Sequence, residues 1–224
     1  MKFFRRFIFL IAYHFYLKRK LATASTVRVL GFQLTIPSTV FHPKYYFSSK
    51  FLGAYLSTLD LIGKNVLDMG CGSGIFSIIA ASRRASVISV DLNERAVEAT
   101  IKNAKENQLE HSVTTFHGNL FDPLSGNSRF DLMLFNPPFY PDDPGSASEL
   151  AWKGGKNYEV VSQFISQSPK YLNKDGKILV VLSSDMDLDY VRGLFTSSNF
   201  SIQRIETRRT MFDTLYIYEA KQYS

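Results

Sequence analysis

Residues 65–81 constrain this chain more than any other stretch. Residues 65–69 are a short apolar strand, 70–74 a glycine loop, and 75–81 the opening of a helix. The loop reads Asp68-Met69-Gly70-Cys71-Gly72-Ser73-Gly74, with the glycines spaced G-x-G-x-G. Glycine there lets the backbone turn sharply and approach a ligand closely, beside the exposed N–H groups of a helix start. A tight structural turn explains any one of these glycines. A second carboxylate strengthens the ligand reading: Asp91 closes the next strand, 23 residues beyond Asp68, about where an acidic side chain grips ribose hydroxyls in dinucleotide folds.

A strand that feeds a helix in this way needs parallel neighbours, and the rest of the chain supplies them. Strands are expected over 86–90, 113–116, 130–135 and 178–182, helices over 93–107, 158–171 and 187–197, and a terminal hairpin over 201–208 and 211–220. The alternation predicts an α/β fold: a seven-stranded, mostly parallel sheet with an antiparallel C-terminal hairpin and helices on both faces. With 45% hydrophobic and 21% charged residues, the chain is neither disordered, collagen-like nor a multi-span membrane protein. One cysteine, Cys71, excludes an intrachain disulfide framework and a cysteine-rich zinc site, so no metal is expected; a reducing, cytoplasmic setting fits.

The first 36 residues read as an extension, and 37–224 as the catalytic domain. The net charge of +6 belongs to the N-terminal part, because residues 1–59 hold nine basic residues and no acidic one. Residues 7–17 are an apolar run of eleven between Arg5-Arg6 and Lys18-Arg19-Lys20, too short for the ~20 residues of a membrane span. The basic triplet also separates that run from Ala22-Thr23-Ala24, where a secretory signal would be uncharged. Phe3, Phe4, Phe7, Ile8, Ile11 and Phe15 recur at helical spacing, predicting an N-terminal amphipathic helix, docked on the domain or lying peripherally on a membrane through residues 1–20. Residues 27–36 alternate around Gly31 and read as a small hairpin.

The strand over 130–135 runs into Asn136-Pro137-Pro138-Phe139. Ligands in such sheets bind outside the carboxyl ends of the strands. Two prolines remove two N–H donors, and the Asn136 side-chain oxygen with the Pro137 carbonyl gives two acceptors for the two hydrogens of a planar –NH₂ group. Phe139 can stack on that group. The competing reading is plain punctuation, with Pro-Pro ending a strand and Asn capping a turn.

Together, D-x-G-x-G-x-G and N-P-P-F resemble the class I S-adenosylmethionine-dependent methyltransferases, a Rossmann-like family, rather than nucleotide-dependent oxidoreductases, whose glycine spacing differs. The resemblance implies S-adenosylmethionine as cofactor, with S-adenosylhomocysteine as product. It implies a cofactor set of Ser49, Asp68, Gly70, Cys71, Gly72, Gly74, Asp91, Leu92, Asn119, Leu120 and Asn136. Asn119 stands where the family often has Asp. Asn136 and Pro137 would then be catalytic, and Asn136, Pro138, Phe139 and Trp152 would meet the substrate.

Trp152-Lys153-Gly154-Gly155 after that loop resembles the HemK-type glutamine methyltransferases, especially the compact branch acting on translation release factors. Trp152 reads as an anchor for the loop over the site, or as an aromatic wall for substrate. The segment 41–49, Phe-His-Pro-Lys-Tyr-Tyr-Phe-Ser-Ser, is basic and aromatic where that branch is acidic. The leading expectation is a protein glutamine amide as methyl acceptor. The alternatives are an RNA adenine, a small molecule under an aromatic lid, or an idle interaction module; an activating partner subunit is a further expectation carried by the resemblance.

Overall fold

The computed structural model describes residues 23–38, 40–145, 149, 152–211 and 213–223. The amphipathic helix expected over residues 1–20 lies outside them. Among the described residues, no helix is long and apolar enough to cross a membrane.

The seven-stranded sheet has the order β5-β4-β3-β6-β7-β9-β8. β3 (Asn65–Met69) pairs in parallel with β4 (Ser86–Asp91) on one side and β6 (Phe130–Phe135) on the other. β4 pairs with β5 (Val113–His117) and β6 with β7 (Leu172–Ser183), again in parallel. The terminal hairpin, β8 (Phe200–Arg209) and β9 (Thr214–Gln222), adds antiparallel to β7. The chain thus steps outward from β3 to β5 and then crosses back to β6. That reversal opens a crevice at the carboxyl ends of β3 and β6, where Met69 and Phe135 face each other in register.

The central strands are apolar throughout because both faces are covered. On β6, Leu132 and Leu134 join one core layer while Met133 and Phe135 join the other. Over the first layer lie α1 (Phe47–Leu56), α2 (Ile75–Ser82) and α3 (Glu94–Glu106); the second is covered by α4 (Glu159–Gln167) and α5 (Leu188–Ser197). A separate two-stranded hairpin, β1 (Ser25–Val29) and β2 (Phe32–Ile36), turns at Leu30-Gly31 and buries Val29, Leu34 and Ile36 in the first layer.

Helix α1 has no counterpart in the sequence reading. Its face toward the core carries Ser48, Ser49, Leu52, Gly53 and Leu56, and the small residues at 48, 49 and 53 hide an apolar stripe. They allow close approach: a Cβ on Gly53 would stand 2.7 Å from Leu30 Cδ1 and 3.0 Å from Ile79 Cδ1. The helix expected over 158–171 ends as α-helix at Gln167 and continues as one 3₁₀ turn, Ser168–Tyr171, with Pro169 near its start.

Candidate active site

Helix α2 starts at Gly74, which has φ +77° and no side chain to cap the helix. A Cβ there would meet Thr100 at 2.9 Å, so glycine is required on both counts. The missing cap comes from β3 instead. Asp68 Oδ2 accepts from the Ser77 backbone N–H at 3.0 Å and from the Ser77 hydroxyl, which is the bond an N-cap side chain ordinarily makes. The Asp68 carboxylate therefore fixes the helix that begins at the glycine loop.

Asp91 fixes the loop from the other side. Its Oδ2 accepts from Gly72 N and its Oδ1 from Asn93 N, both at 2.8 Å. Gly70 and Cys71 donate to the Val90 carbonyl. The loop is thus held open and curled at the end of β3 by groups from β4.

A cavity of about 290 Å³ opens here. Gly70, Cys71, Gly72 and Ser73 form its floor, Asp91 and Leu92 with Asn119 and Leu120 one side, and Asn136 and Pro138 the far side. Val40, Phe41 and Ser49 form the roof, and Lys153, Gly154, Gly155, Glu159 and Val160 close the remaining wall. A second cavity of about 520 Å³, among Leu59, Lys64, Asp131 and Lys177, lies at the amino ends of β3 and β6, away from the glycine loop. Among the described residues no group of acidic, histidine or cysteine side chains could hold a metal ion.

Asn136 is the most informative member. Its Oδ1 is buried and has no hydrogen-bond partner among the described residues. Buried polar atoms are normally paired, because an unmade bond costs about 1–3 kcal/mol. Asn136 belongs to the cavity lining, and a donor on a bound molecule would satisfy this buried acceptor.

The loop after Phe139 is pinned back onto this motif. Tyr140 N donates to Trp152 O at 2.9 Å, Gly154 N to Tyr140 O at 3.0 Å and Gly155 N to Asp142 O at 3.0 Å. Gly154 lies against Pro138, where a Cβ would meet the ring at 3.0 Å and the carbonyl oxygen at 3.3 Å. Lys153 pairs with Asp142 at 2.8 Å and Glu149 at 3.1 Å; these exposed pairs add little stability. The backbone bonds and the glycine contact do the positioning.

Several expected residues lie off the cavity wall, each for a visible reason. Asp68 is buried behind the loop and serves α2. Gly74 faces Thr100. Pro137 is buried, and Phe139 packs against both core layers. Trp152 packs tilted against Phe41 and edge-on against Tyr46, at centroid distances of 4.9 and 4.3 Å, tying the loop to the roof. The expected Ser49, Leu92, Asn119 and Leu120 do line the cavity. Val40, Glu159 and Val160 were not expected there; the aromatic lid of the small-molecule alternative pointed to Phe41, and the W-x-G-G segment to the remaining wall.

The site's match to a family is extensive. A family profile described as the methyltransferase small domain matches residues 37–204. The chain belongs to that family. It is a class I S-adenosylmethionine-dependent methyltransferase, and the glycine floor, Asp91 and the Asn136 wall accord with that cofactor. One relative is a Methanocaldococcus jannaschii protein named as a protein N5-glutamine methyltransferase, 35% identical over 64% of this chain and 74% of its own length. Another is a Haemophilus influenzae ribosomal RNA small subunit methyltransferase C, 33% identical over 58% of this chain; the match spans 36% of that protein's length. A T. thermophilus 16S rRNA N2 methyltransferase, solved with AdoMet and guanosine, shares the fold with a TM-score of 0.65 and 21% identity, over 89% of this chain and 50% of that one.

Burial pushes Asp68 up to about 7; the Ser77 bonds oppose this and the Asp91 charge adds to it. Asp91 is raised too, again by burial, against its N–H partners and His117. Asp68 therefore stabilises the ligand-free fold below about pH 4, and that contribution is lost as the pH rises through about 7. A cationic cofactor favours the ionised carboxylate, so its affinity runs the other way. S-adenosylmethionine should bind about tenfold more weakly at pH 6 than on the plateau above pH 7. Calorimetry across that range checks this, and Asp68→Asn should flatten the profile.

Proposed function

We propose that the chain transfers a methyl group to the side-chain amide nitrogen of a glutamine in a protein. The unpartnered Asn136 Oδ1 carries this reading. An amide nitrogen is a poor nucleophile because its lone pair is delocalised into the carbonyl. Asn136 Oδ1 would accept one N–H of the amide, turn the nitrogen toward the cavity and hold electron density on it as charge develops. Positioning of this kind contributes up to ~7–11 kcal/mol in well-aligned cases. The bound S-adenosylmethionine supplies the electrophilic methyl group. Nothing in this arrangement calls for a catalytic triad or a metal.

The name of the Methanocaldococcus relative supports the protein acceptor, since that match spans most of the relative's length. RNA is the second reading, favoured by the nine basic and no acidic residues of the first 59 and by the ribosomal RNA enzyme among the relatives. The test is transfer of radiolabelled methyl from S-adenosylmethionine to protein and RNA fractions in parallel, followed by complete enzymatic digestion, which spares side-chain amides, and identification of the labelled residue. Labelled N5-methylglutamine is expected; a labelled nucleobase without it would move the chain to the RNA reading.

A further inference from the structure

Helix α3 presents three polar side chains in a strip facing the glycine loop and the N-terminal hairpin. Thr100 Oγ1 donates to the Gly72 carbonyl at 3.3 Å and lies 3.2 Å from Cys71 Sγ. Asn103 Nδ2 donates to the Ser73 carbonyl at 2.9 Å and to the Thr35 carbonyl at 3.0 Å, while its Oδ1 accepts from Thr35 N at 2.7 Å. Asn107 Nδ2 donates to the Gln33 carbonyl at 2.7 Å, and its Oδ1 accepts from Gln33 N at 3.3 Å. Positions four apart on a helix rise ~6 Å, close to the ~6.8 Å between alternate residues of a strand. The two asparagine amides therefore act as a short artificial strand, closing the edge of β2 that β1 leaves open.

Asn103 differs from Asn107 in one respect: it also holds the cavity floor. The hairpin in turn holds the roof. β2 leads through Pro37 directly into Val40 and Phe41. Ser25, at the start of β1, pairs with His42 Nε2 at 2.9 Å. His42 Nδ1 accepts from Lys44 N, so Nε2 carries the ring proton, and burial, which lowers the imidazole to about 4, keeps it neutral. The roof stands over Gly72, where an added Cβ would come to 4.0 Å from Val40 and Phe41.

We propose that Asn103 is a positioning residue for cofactor binding: one buried amide clasps the Ser73 carbonyl of the cavity floor to the hairpin that carries its roof. The hairpin, whose strands precede the cofactor motif entirely, thereby becomes part of the cofactor site without touching it. Reciprocity follows, because whatever the clasp does for the cofactor, the cofactor must do for the clasp.

The experiment is hydrogen exchange of the Gln33 and Thr35 amides in the full chain, with and without S-adenosylhomocysteine, alongside calorimetry on two variants. In the unmutated protein, saturating S-adenosylhomocysteine should slow Thr35 exchange by about fivefold or more; a role confined to structure would leave it unmoved. Asn103→Asp keeps the acceptor toward Thr35 N but sets an oxygen against two carbonyls, and it should raise the dissociation constant by about tenfold. Asn107→Ala frees the Gln33 end, and a bond to the Asn103 carbonyl within the helix, without touching the Ser73 carbonyl, and should change it by less than about twofold. Unchanged Thr35 protection on binding overturns the proposal, even if Asn103→Asp fails to fold. Equal losses of affinity in the two variants also overturn it.

Discussion

Asn136→Ala is expected to reduce methyl transfer by about 10²–10³-fold or more, the range seen when one preorganised hydrogen-bonding group is removed from a reacting centre. Binding of S-adenosylhomocysteine should stay within about threefold, because the floor and side of the cavity are set by the glycine loop, Asp91 and Asn119. Stability gives a second, independent signature. The Oδ1 atom is buried without a partner, so its deletion removes an unfavourable group. The variant should therefore be no less stable than the parent, and up to about 1 kcal/mol more stable. Loss of turnover with a raised or equal melting temperature is what a site residue predicts. A drop in both would mean that Asn136 serves the fold, and full activity would remove the planar-nitrogen reading. Asn136→Asp is a useful companion. It keeps an acceptor at this position, so partial activity above the pKa of the new carboxyl would separate acceptance from shape.

The parts of the molecule that could be read in the sequence are those where one local rule decides the outcome. β3, β4 and β6 are apolar runs ending at a glycine, an aspartate and Asn136-Pro137, and each ends where expected. The glycine loop and its φ values follow from sterics. Helix α1 was not legible, because Ser48, Ser49 and Gly53, whose local preferences oppose a helix, interrupt the apolar stripe of Phe51, Leu52 and Leu56 on its buried face. β7 begins at Leu172, well before the apolar run at 178–182. Residues 173–176 bulge out between the β6 pairs Phe130–Leu172 and Leu132–Lys177, tied to β6 by the Asn173 side chain on Asp131, and Gly176 lies against the Phe130 carbonyl at a would-be Cβ distance of 2.7 Å.

Within the site, spacing singled out Asp68 and Asp91 but not the hydrogen bonds each one makes. Asp68 stands next to a glycine loop and so suggested contact with the cofactor; its Oδ2 caps α2 through Ser77, while its Oδ1 is buried with no hydrogen-bond partner among the described residues. Side-chain-to-backbone bonds between distant segments have no signature in a single sequence. Asn103 and Asn107, 68 and 74 residues from the backbone they hold, look like ordinary polar positions on an exposed helix face. Their meaning appears only when the hairpin is folded back upon them.

Asp91→Ala should have the opposite profile to Asn136→Ala: cofactor binding is lost first. The carboxylate lines the cavity and accepts from Gly72 N and Asn93 N. Hydrogen bonds to charged groups contribute about 1.5–3 kcal/mol, so one lost cofactor bond raises the dissociation constant by about 10–100-fold. The half-buried Gly72 N–H loses its acceptor, which costs about 1 kcal/mol of stability as well. Calorimetry with S-adenosylhomocysteine and a thermal melt measure the two effects. An unchanged dissociation constant would reduce Asp91 to a loop tether. Asp91→Asn separates them further, because it deletes the charge while retaining one acceptor oxygen. The negative charge of Asp91 is among the influences that raise Asp68, so its removal should shift the pH at which cofactor affinity reaches its plateau downward from about 7. A plateau that stays in place would mean that the two carboxylates do not communicate across the glycine loop, and that burial alone sets the titration of Asp68.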